Sequence, residues 1–300
     1  MIVAAGYVWR FFDPGGIDRQ RARHALSVTV LHFFLPALAF GLVAKAPADR
    51  SFISIPLTAA VVTFAGIAAG FAFYRLVPGF RNISRPTFGV MILSAAFGNV
   101  TYLGLPVITE SLGREFGYVA IIYDLLAATP ILLTVGIFLT ARYGEGAAPV
   151  SVKGAFLRVL KLPPLWGVAL GMLFNLGGIP VPSIVLDTVT LMGKAVIPVM
   201  IFTVGLALDF QDLRRLPIAL PALLLKLVLA PVLAWWIGSL LGIAGETLKA
   251  VTLEGAMPVM VLSLVIADEL RLDVPLAATC ITISTVASFF TIPVMMRVLF

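Results

Sequence analysis

Five ionisable side chains lie well inside long apolar stretches of the sequence, where charges are uncommon. They are His32, Asp124, Lys194, Lys226 and Glu254. If these stretches cross a membrane, a charge at mid-helix costs about 2.5–3.5 kcal/mol on insertion scales, so such groups are usually paired or functional. Each of the five is therefore a candidate functional group.

A second set of candidates lies in the uncharged stretch Gly98–Pro106, inside the apolar segment 87–109. Asn99, Thr101 and Tyr102 supply its polar groups, and the Asn99 amide can both donate and accept hydrogen bonds. An exposed half-helix N-terminus offers unpaired N–H groups and a positive dipole, which suits a carboxylate. This stretch is therefore a candidate site for a small anion.

Glycines and prolines predict that two helices are interrupted. Gly98, Gly104 and Pro106 interrupt the first, and the run Glu254–Pro258 interrupts the second one half-chain later. Backbone groups freed at membrane depth are tolerated only where protein or a water-filled cavity covers them. A single interruption favours a proline kink repaired by a neighbouring helix, but paired interruptions in two halves are typical of a transporter's binding site. The predicted substrate site comprises Asn99, Thr101, Tyr102, Gly104, Pro106, Gly255, Met257 and Pro258.

The composition indicates an integral membrane protein. Of the 300 residues, 60% are hydrophobic and only 12% charged, and the mean hydropathy is +1.07. The single cysteine, Cys280, leaves no intramolecular disulfide. The pI of about 9.7 does not indicate a nucleic-acid partner, because the basic residues cluster in short loops between apolar runs, where they set topology. The expected partners are membrane lipid and a small solute.

Charges and turn residues divide the chain into ten apolar runs, which we number as predicted helices 1 to 10. Strands are not expected, because all runs but the first reach about 18 residues without period-two alternation. The first run is too short to span a bilayer and predicts a truncated helix 1, not a signal peptide. The predicted spans are 1–12, 24–45, 52–75, 87–109, 116–141, 162–180, 184–208, 216–242, 247–267 and 274–298.

Loop charges and recurring prolines predict how these helices are arranged. With the N-terminus outside, most arginines and lysines fall in cytoplasmic loops, so both termini are placed on the outer side of the plasma (inner) membrane. The loop 142–161 separates two five-helix halves, 1–141 and 162–300, and an odd number of helices per half predicts inverted repeats. Landmarks recur at similar spacing in both halves: Pro36 with Pro198, Pro56 with Pro221, Pro106 with Pro258, and Pro130 with Pro293.

The sequence resembles the auxin efflux carrier family, which includes plant auxin exporters and bacterial malate or malonate permeases. The resemblance rests on the run Phe97–Pro106, on Ala195–Pro198 with Gly205, and on Met257–Pro258 with Ala267. It implies a sodium/proton antiporter-like fold in which broken helices 4 and 9 cross. It also implies a scaffold of helices 1, 2, 6 and 7, a transport domain of helices 3–5 and 8–10, elevator-like alternating access, and a homodimer.

The sequence leaves alternatives for the roles of Glu254, Asp124 and Lys226. Glu254 either binds a proton or sodium in exchange for substrate, or caps a helix end or pairs with Lys226 or Lys194. Asp124 and Lys226 are predicted at similar depths, as a buried pair that lowers the membrane cost of both charges. Alternatively, Lys226 takes the place that a cation occupies in sodium-coupled relatives of this fold.

His32 and Lys194 each stand four residues before the aligned prolines Pro36 and Pro198, so they occupy equivalent places in the two halves. Either both are hydrogen-bonded to backbone at the interface between moving and static parts, or they form a positive lining that attracts an anion.

The function predicted from these features is secondary transport of a small organic anion, such as a mono- or dicarboxylate. A sodium-coupled organic-acid symporter is the main alternative, and a channel is a third. No G-x-x-x-x-G-K-[ST] loop for ATP and no H-E-x-x-H zinc motif is present in the sequence. The buried ionisable groups lie on five different runs, which does not favour an enzyme. No cofactor or metal is predicted beyond a coupling proton or sodium ion.

Overall fold

Long apolar runs without period-two alternation fold into helices throughout the computed structural model, which describes residues 1–145, 151–210 and 212–300. Within these ranges the only other pairing is one isolated antiparallel bridge between Gly98 and Val259. The helices are α1 (Ile2–Phe11), α2 (Arg19–Ala44), α3 (Ser51–Leu76), α4 (Arg85–Ala96), α5 (Leu105–Ser111), α6 (Arg114–Thr140), α7 (Val152–Leu160), α8 (Pro163–Leu176), α9 (Ser183–Ala207), α10 (Leu213–Leu240), α11 (Gly245–Gly255), α12 (Leu262–Glu269) and α13 (Val274–Leu299).

Six of these helices are long and apolar enough to cross a membrane: α2, α3, α6, α9, α10 and α13. Helices α7 and α8 would add a seventh span if they are counted together, although they meet at a bend of 58°. The structure is therefore consistent with an integral membrane protein built of helices, as the composition indicates.

Helix α2 begins five residues earlier than the predicted start at 24. The Asp18 carboxylate accepts hydrogen bonds from the backbone N–H groups of Gln20 (2.8 Å) and Arg21 (2.9 Å). This N-cap satisfies donors that have no partner inside the helix. Arg23, assigned to a loop from its charge, consequently belongs to the helix.

Four π turns each precede a proline in the same helical segment. In each case the wide turn ends two residues before the proline. The wider turn gives the ring room and accommodates its missing N–H. The pairs are Val30–Phe34 with Pro36, Val100–Gly104 with Pro106, Asp124–Ala128 with Pro130, and Leu225–Leu229 with Pro231.

The interruption predicted within Gly98–Pro106 lies at the start of that stretch, and Pro106 itself lies in the first turn of α5. Helix α4 ends at Ala96, Phe97 is extended (φ −103°, ψ 119°), and helical structure resumes at Val100. The second interruption separates α11 from α12 and covers residues 256–261, three residues longer than predicted at its C-terminal end.

The two interruptions pair with each other through their backbones. The Asn99 N–H donates to the Pro258 carbonyl at 2.7 Å, and the Met260 N–H donates to the Phe97 carbonyl at 3.0 Å. Backbone groups released by each interrupted helix are thus satisfied by the other, as membrane depth requires.

Helices α1, α2, α8 and α9 pack together on one side of the molecule. The contact between α1 and α9 depends on Gly6 and Gly205, whose backbones approach so closely that a side chain on either would collide with the opposite helix. On the other side, α3, α4, α6, α10, α11 and α13 pack around the paired interruptions.

The predicted connecting loop 142–161 contains a helix. Residues 146–150 of it lie outside the described ranges, but Val152–Leu160 forms α7, capped where the Ser151 hydroxyl accepts the Gly154 N–H at 3.4 Å. Phe156 and Leu157 are exposed on this helix, while Val159 is buried. The loop prediction missed this amphipathic pattern because basic residues interrupt it.

One ion pair ties together the ends of α4, α10 and α13. The Arg215 guanidinium donates to Asp273 Oδ1 at 2.8 Å and also to Oδ2, and Thr87 donates its hydroxyl to Oδ2 at 2.7 Å. Burial alone would raise the pKa of Asp273, but the hydrogen bonds from Arg215 and Thr87 outweigh it and hold the pKa below its ordinary value of 3.8.

We expect Asp273→Asn to destabilise the protein by about 2 kcal/mol, because a charge-assisted hydrogen bond to Arg215 is lost. Since the native pKa is lowered, this contribution is fully present above about pH 4 and disappears as the pH falls through the native value. Thermal unfolding of detergent-purified protein between pH 3 and 7 measures the difference. Asp187→Asn, at an exposed position on α9, is the control; an equal loss in both variants would contradict the assignment.

Candidate functional site

A cavity of about 340 Å³ lies beside the paired interruptions; we call it the crossing cavity. The first interruption contributes Asn99 to its wall, the π turn after it contributes Thr101 and Tyr102, and the second interruption contributes Met260. Helix α2 contributes Arg23, Leu31 and Leu35 to the same wall. Both interruptions and the neighbouring helices therefore share one cavity.

Asn99 is held by its backbone while its side chain has unused hydrogen-bonding capacity. The residue is 3% exposed and its N–H is bound to Pro258, but its Nδ2 has no partner among the described residues. A buried amide without partners is costly. This amide at the cavity wall is therefore suited to donate to a bound solute.

Asp124 also lies on the wall of the crossing cavity, but its carboxylate is satisfied. Thr101 donates its hydroxyl to Oδ2, and Thr129 donates to Oδ1 at 2.6 Å. Both Asp124 and Thr101 lie in π turns, which are frequent at functional sites. The carboxylate therefore orients the threonine beside Asn99.

Lys226 connects the two interruptions. Its ammonium group donates to the Gly255 carbonyl at 2.6 Å, at the C-terminal end of α11, and its side chain packs against Gly98. A cation at this end of a helix satisfies a free carbonyl and opposes the negative end of the dipole. The predicted Asp124–Lys226 pair is not formed, because hydroxyl groups already satisfy Asp124 and a carbonyl satisfies Lys226.

Glu254 is fully buried, and neither carboxylate oxygen has a hydrogen-bond partner among the described residues. It makes no ion pair with Lys226 or Lys194 there. Its carboxylate occupies the space that a Cβ at position 104 would need, so a larger residue at Gly104 would require the Glu254 side chain to move. This carboxyl group is the least satisfied polar group near the interruptions.

The other predicted substrate contacts act through the backbone or through packing. Gly255 supplies the carbonyl that Lys226 binds, and Pro258 supplies the one that Asn99 binds. Met257 is 0% exposed, and Pro106 is buried in α5. The structure does not place these four residues, or Gly104, on the wall of the crossing cavity.

Two arginines of the crossing cavity were missed as site residues. Arg23 of α2 is half-buried and makes no ion pair among the described residues, whereas Arg158 of α7 donates to Glu269 at 2.6 Å. Both were counted only as topology signals. The capping residue Asp18 is the signal that could have placed Arg23 in a helix.

His32 and Lys194 do not form a common positive lining. His32 is exposed and donates from Nδ1 to the Val28 carbonyl at 3.0 Å. Lys194 is exposed to a second cavity of about 600 Å³. Neither lies on the wall of the crossing cavity.

A double-mutant cycle tests whether Lys226 is coupled to Glu254 or to Asp124. Lys226 binds the carbonyl of Gly255, the residue next to Glu254, whereas the Asp124 carboxylate is hydrogen-bonded by two threonine hydroxyls. We expect Lys226→Met and Glu254→Gln to couple by about 1–3 kcal/mol in thermal stability. Lys226→Met with Asp124→Asn is the matched control and should be nearly additive; the reverse ranking would restore the Asp124–Lys226 pair.

These features define a class: a multi-pass α-helical membrane protein with paired interruptions beside a cavity that both polar and apolar residues line. The profile of the membrane transport protein family matches residues 1–296. The chain therefore belongs to this family, and the resemblance to auxin efflux carriers is confirmed.

The relatives in this family are named as transporters. An uncharacterized transporter of Methanothermobacter thermautotrophicus is 29% identical over 98% of this chain and 93% of its own length. One from Methanocaldococcus jannaschii is 24% identical over 97% and 94%, respectively. The uncharacterized transporter YfdV of Escherichia coli K12 is 23% identical over 98% and 93%.

Proposed function

We propose that the protein is a secondary active carrier for a small organic anion, such as a mono- or dicarboxylate. The observation that carries this proposal is the lining of the crossing cavity. The Arg23 guanidinium has no acidic partner among the described residues, and the Asn99 amide, whose Nδ2 has no hydrogen-bond partner there, lines the same cavity. A guanidinium and an amide donor suit a carboxylate, which accepts hydrogen bonds only.

The proposed architecture is ten spans in two inverted five-helix repeats, 1–141 and 162–300. Interrupted helices α4–α5 and α11–α12 would be the fourth and ninth spans. The antiparallel pairing of Gly98 with Val259 supports a crossing of equivalent elements from two opposed halves. We expect both termini on the outer face of the plasma membrane, and a homodimer.

The proposed mechanism is of the elevator type. Helices α3–α6 and α10–α13 would form the moving domain, and α1, α2, α8 and α9 the scaffold. The crossing cavity has walls from both groups, with Asn99 and Thr101 on the moving side and Arg23 on the scaffold. Movement would carry the bound anion away from Arg23, so that this cation attracts the solute on one side of the membrane only.

A screen of mono- and dicarboxylates by thermal shift and counterflow tests the function. We expect at least one acid to stabilise the purified protein and to exchange across proteoliposomes. Asn99→Ala and Arg23→Gln should each weaken its binding about tenfold or more, since a charge-assisted hydrogen bond contributes about 1.5–3 kcal/mol.

Arg21→Gln, an exposed arginine two residues away on the same helix, is the matched control and should bind normally. Flux that is not saturable and shows no counterflow would indicate a channel. Stabilisation by cations or neutral solutes alone would overturn the anion assignment.

Glu254 is the proposed coupling residue. A fully buried carboxyl without hydrogen-bond partners is suited to take up a proton or a sodium ion. We expect Glu254→Gln to abolish the dependence of uptake on the coupling ion while leaving counterflow intact. Uptake driven by imposed pH and sodium gradients measures this; unchanged gradient dependence in the variant would remove Glu254 from coupling.

A further inference from the structure

The second cavity, of about 600 Å³, lies between α9, the C-terminal part of α2 and the junction of α5 with α6. We call it the α9 cavity. Lys194 and Thr190 of α9 line it, as does Leu105 of α5. Like the crossing cavity, it has walls from both the proposed scaffold and the proposed moving domain.

The two cavities lie along one face of α2. Leu31 and Leu35 line the crossing cavity, and Leu38 and Leu42 line the α9 cavity. Spacings of four, three and four residues place these side chains on a single helix face. Leu35 and Leu105 are 2% and 0% exposed and belong to one buried apolar cluster. The cavities are therefore consecutive compartments along α2, separated by apolar packing.

Of the charged residues that line the α9 cavity, Lys194 lies farthest from the ends of its helix. It is the twelfth residue of α9, which begins at Ser183, so it lies about 17 Å from that end at 1.5 Å per residue. A lysine at this depth is costly unless it faces water or a partner. Lys194 has no ion pair among the described residues, and its side chain is exposed to the cavity. The other charges of the cavity, Lys45, Glu110, Arg114 and Glu115, lie at helix ends.

We propose that the α9 cavity is a second anion site, with Lys194 as its counter-charge, which receives the carboxylate of the cargo when the carrier opens to the opposite side. This rests on the proposed function. Arg23 attracts the anion from one compartment and Lys194 from the other, so each side of the membrane has its own scaffold cation. Asn99 and Thr101, on the moving domain, contribute to the binding of the anion at both sites.

Thiol modification tests the electrostatics of the cavity without knowledge of the cargo. Thr190 is one turn from Lys194, with about 5–6 Å between Cβ atoms, and is exposed. The single native cysteine, Cys280, is buried, so Thr190→Cys provides the accessible thiol. The probes are an anionic ethylsulfonate methanethiosulfonate and its cationic trimethylammonium counterpart, applied to proteoliposomes.

We expect the ratio of anionic to cationic modification rates at Thr190→Cys to fall about tenfold when Lys194→Gln is added, because a nearby charge steers probes of opposite sign. Lys194→Arg should keep the ratio. Lys249→Gln, a lysine paired with Glu246 outside the cavity, is the control and should not change it. An unchanged ratio in Lys194→Gln, or slow modification by both probes as in a lipid-filled cavity, would overturn the proposal.

Transport distinguishes this inference from the proposed function. For an acid found in the carboxylate screen, Lys194→Gln should raise the half-saturating concentration on one side of the membrane only, whereas Arg23→Gln should raise it on the other. If the screen finds no transported acid, the proposed function fails while the probe ratio still reports the anion site. If an acid is transported and Lys194→Gln leaves both sides unchanged, the inference fails alone.

Discussion

The pairing of two interrupted helices through their backbones is the constraint on which the rest of the structure depends. In hydrocarbon, an N–H or carbonyl without a partner costs several kcal/mol, so neither interruption is tolerable alone. The hydrogen bonds of Asn99 with Pro258 and of Met260 with Phe97 solve this for both segments at once. They also determine where the side chains of the first interruption lie, and so where the crossing cavity opens.

The need to satisfy buried polar groups also explains the hydrogen bonds of the charged residues around this pairing. Lys226 satisfies the last carbonyl of α11, and Asp124 is satisfied by two threonine hydroxyls. Both groups therefore stabilise the framework of the site. Glu254 and Arg23 are different, because among the described residues neither has a hydrogen-bonding or ionic partner that fixes its role. The proposed binding and coupling roles rest on these two groups, which the fold itself does not use.

Proline positions were informative about the presence of irregular helix but not about its form. Pro106 indicated an interruption, yet the chain accommodates the ring in a π turn and interrupts its helix earlier, at residues 97–99. Sequence spacing cannot distinguish these outcomes, because both relieve the same clash. The choice depends on whether another segment offers partners for the extended backbone, which only the packed structure supplies.

The sequence by itself determined the membrane-embedded helical class, the family, and the candidates Asn99, Thr101 and Asp124. The length of an apolar run, and the presence of polar residues inside it, are local properties that can be read directly from the sequence. It did not determine that Lys226 would bind a carbonyl instead of Asp124, nor that Arg23 would face the crossing cavity. These outcomes depend on which groups from distant helices come within about 3 Å of one another. Local propensity does not encode that distance, and tertiary packing alone decides it.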